Sequence, residues 1–169
     1  MTDGVEGVAE PLPEGRLEGR EAFVGLIRQG LASAAREGWS PLVLSDADFA
    51  DWPLGERAVL DSLNAWAHSG RQLHFLAKDF QVLRERHPRL VQWRTTWSHL
   101  VDARVCAGAA GDSLPSAFWT PGWTLERLDA RRCTMVASSQ ASSRLALRER
   151  LDACWGRGTP GFPASVLGL

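Results

Sequence analysis

Three short apolar runs separated by helix-length segments constrain this chain more than any other feature. "SPLVLSD" (40–46), "QLHFLA" (72–77) and "HLVDARVC" (99–106) each fit a strand. The stretches around them carry apolar residues at helical spacing. Phe23, Leu26, Ile27, Gly30, Leu31 and Ala34 recur at i, i+3 and i+4 and stop at Gly38, a natural terminator. Val59, Leu60, Leu63, Trp66 and Ala67 line a second helix that Pro53 opens and Gly70 closes. A third, "FQVLRER", must end before Pro88, because the residue preceding a proline is pushed out of the helical region. Residues 89–99 fit a further short helix. Strands joined through helices are crossover-connected, and crossovers set strands parallel.

The second half of the chain reads differently. "AGAAGDSLPSAFWTPGW" (107–123) is a loop punctuated by glycine and proline. "TLERL" and "CTMVAS" pair across "DARR" as an antiparallel hairpin. "SSQASS" offers N-caps for a last helix with Leu147, Leu151, Cys154 and Trp155 on one stripe. The expected fold is an α/β layered domain with a mainly parallel central sheet flanked by helices and a C-terminal antiparallel hairpin. Its expected limits are a flexible N-terminal tail over 1–18, a single α/β domain over 19–158 and an irregular C-terminal tail over 159–169.

Composition removes several functions. A chain of 169 residues with 44% hydrophobic content buries one core without staples. A net charge of −1 is not that of a polycation, so any grip on nucleic acid must be local. Cys106, Cys133 and Cys154 are too few and too scattered for a disulfide framework, and no His/Cys spacing suggests zinc. The N-terminus lacks the charged and apolar regions of a secretory signal, and no apolar stretch is long enough to span a membrane. A reducing cytoplasm is the expected location. No cofactor and no metal are expected.

Four residues are candidates for a ligand site at the strand ends: Asp46, His74, Lys78 and Arg104. Lys78 is the only lysine, at the carboxyl end of an apolar strand, where open α/β sheets leave a crevice. The alternative is a solvated lysine at a strand end. Asp46, Asp48 and Asp51 supply the hard oxygens that Mg²⁺ or Ca²⁺ prefers, yet aspartates in turns commonly cap instead. A second candidate is a phosphate or nucleic-acid patch of Arg84, Arg86, Arg89 and Arg94, with Arg104 beyond and Trp93 and Trp97 interleaved. The same two tryptophans, four apart, also describe core anchors on one helix face. Trp119, Trp123 and Phe118 fit either an exposed partner surface or burial under the loop.

The order of elements, with "SDADFADWPLGERAVLDSLNAWAHSGRQLHFLAKD", "HPRLVQWRTTWSHLVDARVC" and the closing "RERLDACW", resembles one lobe of the phospholipase D superfamily and its bacterial single-lobe relatives. That resemblance implies a phosphodiesterase signature, HxK followed by four residues and then Asp, on the hairpin near the C-terminus. The corresponding segment, "WTLERLDARRCTMVAS" (123–138), holds neither histidine nor lysine, and Asp129 stands alone. No catalytic residue is therefore expected. The resemblance implies a catalytically silent binding or accessory module, with pairing to a second copy of the chain and an unidentified protein partner or phosphate-containing ligand. Two alternatives remain open: an enzyme acting on a phosphate-containing ligand at the strand-end cleft, and nucleic-acid binding through residues 84–104.

Overall fold

The computed structural model describes residues 11–164, which form an eight-stranded sheet with helices on both faces. The sheet order is β1(Gly15–Glu18)–β7(Thr134–Ser138)–β6(Thr124–Asp129)–β5(Ser116–Trp119)–β2(Leu42–Ser45)–β3(Leu73–Ala77)–β4(Val101–Val105)–β8(Thr159–Pro160). β2, β3 and β4 are the three strands expected from the apolar runs. They pair in parallel, with Leu42 opposite Leu73 and His74 opposite Asp102.

The helices follow their apolar stripes. α1(Arg20–Glu37) buries Phe23, Leu26, Ile27, Leu31 and Ala34 and ends at Gly38, which takes the left-handed conformation that glycine adopts without a Cβ penalty. α2(Arg57–Trp66) buries Val59, Leu60, Leu63 and Trp66, but begins four residues beyond Pro53. Residues 53–56 instead make a turn closed by the Glu56 amide on the Pro53 carbonyl. α3(Gln81–Arg86) halts before Pro88, which then opens α4(Pro88–Thr96). α5(Gly108–Gly111) is a single turn, and α6(Ala141–Arg157) lays Leu147, Leu151 and Cys154 on the sheet.

Strand alternation divides the core in two. Leu42, Leu44, Phe75, Ala77, Val101, Ala103, Phe118 and Leu125 face the larger core with α1, α2 and α4. Val43, Leu76, Cys106, Ala117 and Trp119 face the smaller one beneath α6. Trp119, Trp123 and Phe118 are all buried, so the loop aromatics are core residues rather than a partner surface.

The expectation of a mainly parallel sheet does not hold. Two of its pairings are parallel and five are antiparallel. The cause lies in the segment read as a loop: Ser116–Trp119 is a strand that pairs antiparallel with β2 on one side and β6 on the other. It joins the expected hairpin to the parallel trio. Both chain ends contribute as well. Of the expected N-terminal tail, residues 1–10 lie outside the described residues, while Gly15–Glu18 is an edge strand on β7. Of the expected C-terminal tail, Thr159–Pro160 pairs with β4, and the Phe162 ring is buried against Phe75 and Phe80.

Candidate functional site

The carboxyl ends of β1, β2, β3, β4 and β6 meet the starts of β5 and β7 at one end of the sheet. A cleft of about 1000 Å³ opens there, beside the point where β2 has a parallel neighbour on one side and an antiparallel one on the other. Its floor is an ion-pair cluster. Arg127 on β6 shares a strand face with Leu125 and points toward the larger core, its side chain only 4% exposed. A buried guanidinium must find carboxylates or forfeit its solvation. Arg127 finds two: Asp46 just past β2, at 2.9 Å, and Asp51 in the following turn. Burial works against its charge, but the hydrogen bonds it donates to Asp51 and the fields of both aspartates prevail and hold its pKa above the ordinary arginine value. The Phe23 ring stacks against the guanidinium at 4.5 Å.

Asp46 is fully engaged. One carboxylate oxygen accepts the amides of Asp48 and Phe49, and the other accepts the Ser116 hydroxyl and Arg127. This aspartate folds the 46–51 turn and clasps it to β5 and β6. Asp48 accepts the Ala50 amide, and Asp51 is occupied by Arg127. Among the described residues no group of three or more His, Cys, Asp or Glu side chains is arranged to hold a metal ion. The three aspartates act as caps and counter-ions.

Of the four strand-end candidates, the structure brings Asp46 and Lys78 to one cleft. Lys78 pairs with Asp112 at 3.2 Å across its rim. His74 and Arg104 lie elsewhere, on the sheet face beneath α6. The His74 ring stacks on Trp155 at 4.6 Å, and Arg104 lies over the same indole and donates to the Trp155 carbonyl. Burial pushes the His74 pKa below its ordinary value, with Asp102 opposing. Asp129, on the hairpin where a catalytic signature would stand, accepts the backbone amides of Arg132 and Arg131, which hold its carboxyl below the usual range.

The arginine-rich segment also divides. Arg94 turns inward and donates to the carbonyls of Phe162 and Ser98, and burial lowers its pKa. Trp93 and His87 are buried with it, while Trp97 is half-buried and lies 6.0 Å from the exposed His99 ring. Arg86 and Arg89 are exposed and braced against neutral carbonyls, those of Ala50 and Gly55, while Arg84 lies over the Phe162 ring. Glu85, between them, is bonded to Gln81.

Sequence reading did not single out Arg20, Ser116, Arg127 or Arg131, all of which line the cleft. For Arg127 a signal existed: two residues past Leu125 on a strand, it must share that leucine's buried face. Arg20 and Arg131 are brought together by tertiary structure alone. The Gly19 amide bonds the Cys133 carbonyl at 3.0 Å and seats the start of α1 beside the β6–β7 turn.

No protein-family model matches the chain. No curated protein matches it either. Among solved structures it is similar to TrmBL2, an archaeal chromatin protein whose structure is described as showing a novel mode of DNA binding. The TM-score is 0.61 at 10% identity, over 86% of this chain and 52% of that one. The present chain thus spans about half the length of its structural neighbour, and at that identity the likeness is one of fold. This finding overturns the phospholipase D assignment, which rested on element order, and no family match restores it. The expectation of pairing with a second copy came from the same assignment and loses its basis. Among the described residues no helix is long and apolar enough to cross a membrane.

Proposed function

We propose that this chain is a nucleic-acid-binding domain that grips the phosphate backbone with arginines set around the carboxyl ends of its parallel strands. The observation that carries the reading is a set of exposed or half-buried arginines that no ion pair ties down. Arg84, Arg86 and Arg89 lie on one side of the 46–51 turn, and Arg20, Arg131 and Arg132 on the other. Among the described residues none of them has a carboxylate in ion-pair contact, and the one carboxylate that feels Arg131 and Arg132, Asp129, is held by their backbone amides. The Ala50 carbonyl held by Arg86 and the neighbouring Asp51 held by Arg127 connect the two sides through a single turn. Arginine forks braced by neutral carbonyls keep their full charge and lose part of their rotamer freedom before any phosphate arrives.

Likeness in fold to an archaeal chromatin protein supports this reading over the phospholipase D one. Trp93 is buried and takes no part in stacking, so the arginines' backbone contacts carry the binding. Fluorescence anisotropy with labelled single- and double-stranded DNA tests it. Salt-sensitive binding with a dissociation constant of roughly 10⁻⁴–10⁻⁶ M is expected, the range of non-specific backbone contact. Replacing Arg84, Arg86 and Arg89 together by serine weakens it on all sequences alike. Absence of binding at low salt, or binding indifferent to salt, removes the proposal.

A further inference from the structure

We propose that the strand-end cleft is a binding site for a phosphate monoester, held by Arg20, Arg131 and Lys78. The inference rests on the cleft and stands whether or not the outer arginines contact nucleic acid. A free nucleotide and the terminal phosphate of a strand present the same group, close to a dianion at neutral pH. At about 1000 Å³ the cleft is at the upper end of the range that holds small molecules, and it occupies the crevice that α/β sheets leave at such a switch of strand direction.

The charges lining the cleft decide what enters. Five carboxylates face it: Asp46, Asp48, Asp51, Asp112 and Glu126. Asp46 and Asp51 are neutralised in part by Arg127, and Glu126 is paired with Arg150 at 2.7 Å. Asp112 meets Lys78, but its side chain is 78% exposed, and an exposed pair of that kind is worth too little to hold the lysine against a better anion. Asp48, which caps the Ala50 amide, is the one carboxylate lining the cleft without a cationic partner. Against it stand Arg20 and Arg131, exposed, lining the same cleft and without ion pairs among the described residues; the Gly19–Cys133 bond seats the start of α1 beside the β6–β7 turn, and the Asp129 carboxylate that feels Arg131 is held by backbone amides. Two guanidinium forks and an ammonium lining one cleft suit a phosphate with three terminal oxygens.

Titration calorimetry with adenosine monophosphate against adenosine, and anisotropy with a 5′-phosphorylated against a 5′-hydroxyl oligonucleotide, test this. Tighter binding of the monophosphate than of adenosine identifies the free nucleotide as a source. Preference for the phosphorylated strand identifies the strand end. Either supports the site, provided that Arg20→Ser with Arg131→Ser reduces that preference by about tenfold or more, as loss of charged hydrogen bonds requires. Asp48→Asn, which retains the capping oxygen, tightens binding of the phosphorylated probe. Circular dichroism checks that the exposed-site variants are folded. No phosphate preference in either arm, or a preference unchanged in the double variant, overturns the inference. Oligonucleotides that bind without regard to their ends would do so while leaving the nucleic-acid reading intact.

Discussion

At the scale of single residues, the cleft depends on Arg127. Its guanidinium is enclosed with Asp46, Asp51 and Ser116, and each has its donors or acceptors met within the cluster. Arg127→Met keeps the volume of the stem but leaves two carboxylates near the core without a counter-charge. Stability falls by about 3–5 kcal/mol in urea unfolding, the range for breaking one side of a buried pair. Adding Asp46→Asn and Asp51→Asn to that variant returns part of the loss, because uncharged amides cost less to bury. A loss below 1 kcal/mol would show that water reaches the cluster. Asp46 was legible in the sequence as a residue at a strand end, and its use as a turn cap was one of two readings open there. Its partnership with Arg127, 81 positions along the chain, was not. Local pattern marks a buried charge; only topology supplies its partner.

At the scale of elements, α1 and α6 show how much periodicity settles. Both were legible from their apolar stripes, but their seating depends on details that periodicity does not carry. α1 approaches β5 at Gly30, where a Cβ would stand 2.6 Å from Cε1 of Phe118 and 2.9 Å from Cζ3 of Trp123. Gly30→Ala gains roughly 1 kcal/mol of helix propensity, yet two aromatic rings must move. Overpacking of this kind costs about 1–3 kcal/mol and wins, so the variant melts at a lower temperature than the parent.

α6 is seated partly on His74, stacked on Trp155 and faced by Asp102 and Arg104 from β4 and by Arg148 and Asp152 from α6. Burial holds its pKa in the folded chain below the ordinary histidine value of about 6.5. The unfolded chain therefore takes up the proton first, and the stability that neutral His74 contributes is complete above that value. It is lost as the pH falls from there toward the lowered folded pKa. His74→Phe keeps a ring on Trp155 and removes the titration. Compared by urea unfolding at about pH 7.5 and about pH 5.5, the parent loses more stability than the variant. Equal losses would show that His74 stays solvated. The strand at Ser116–Trp119 was the central element the sequence hid, because Pro115 and Pro121 bracket five residues that read as a loop. What holds it is pairing on both sides, a property of the sheet rather than of the segment.

At the scale of the whole molecule, a net charge of −1 leaves room for a local grip, since six arginines without ion pairs among the described residues flank the 46–51 turn at one end of the sheet. That end is built by elements distant in sequence: the start of α1, the β6–β7 turn and the α3–α4 segment. Their convergence is why the run of arginines at 84–94 was visible in the chain and its counterpart at Arg20, Arg131 and Arg132 was not. Salt dependence separates one continuous surface from two unrelated patches. On duplex DNA each phosphate contact contributes about 0.9 to the slope of log affinity against log salt, so each set of three arginines accounts for at most about 2.7. If a single backbone runs across both sides of the 46–51 turn, serine at Arg84, Arg86 and Arg89 and serine at Arg20, Arg131 and Arg132 each flatten the slope. The combined variant then flattens it by the sum, because well-separated contacts add. A slope that the second set leaves untouched would confine nucleic acid to the α3–α4 side, and Arg20 and Arg131 would then serve the cleft alone.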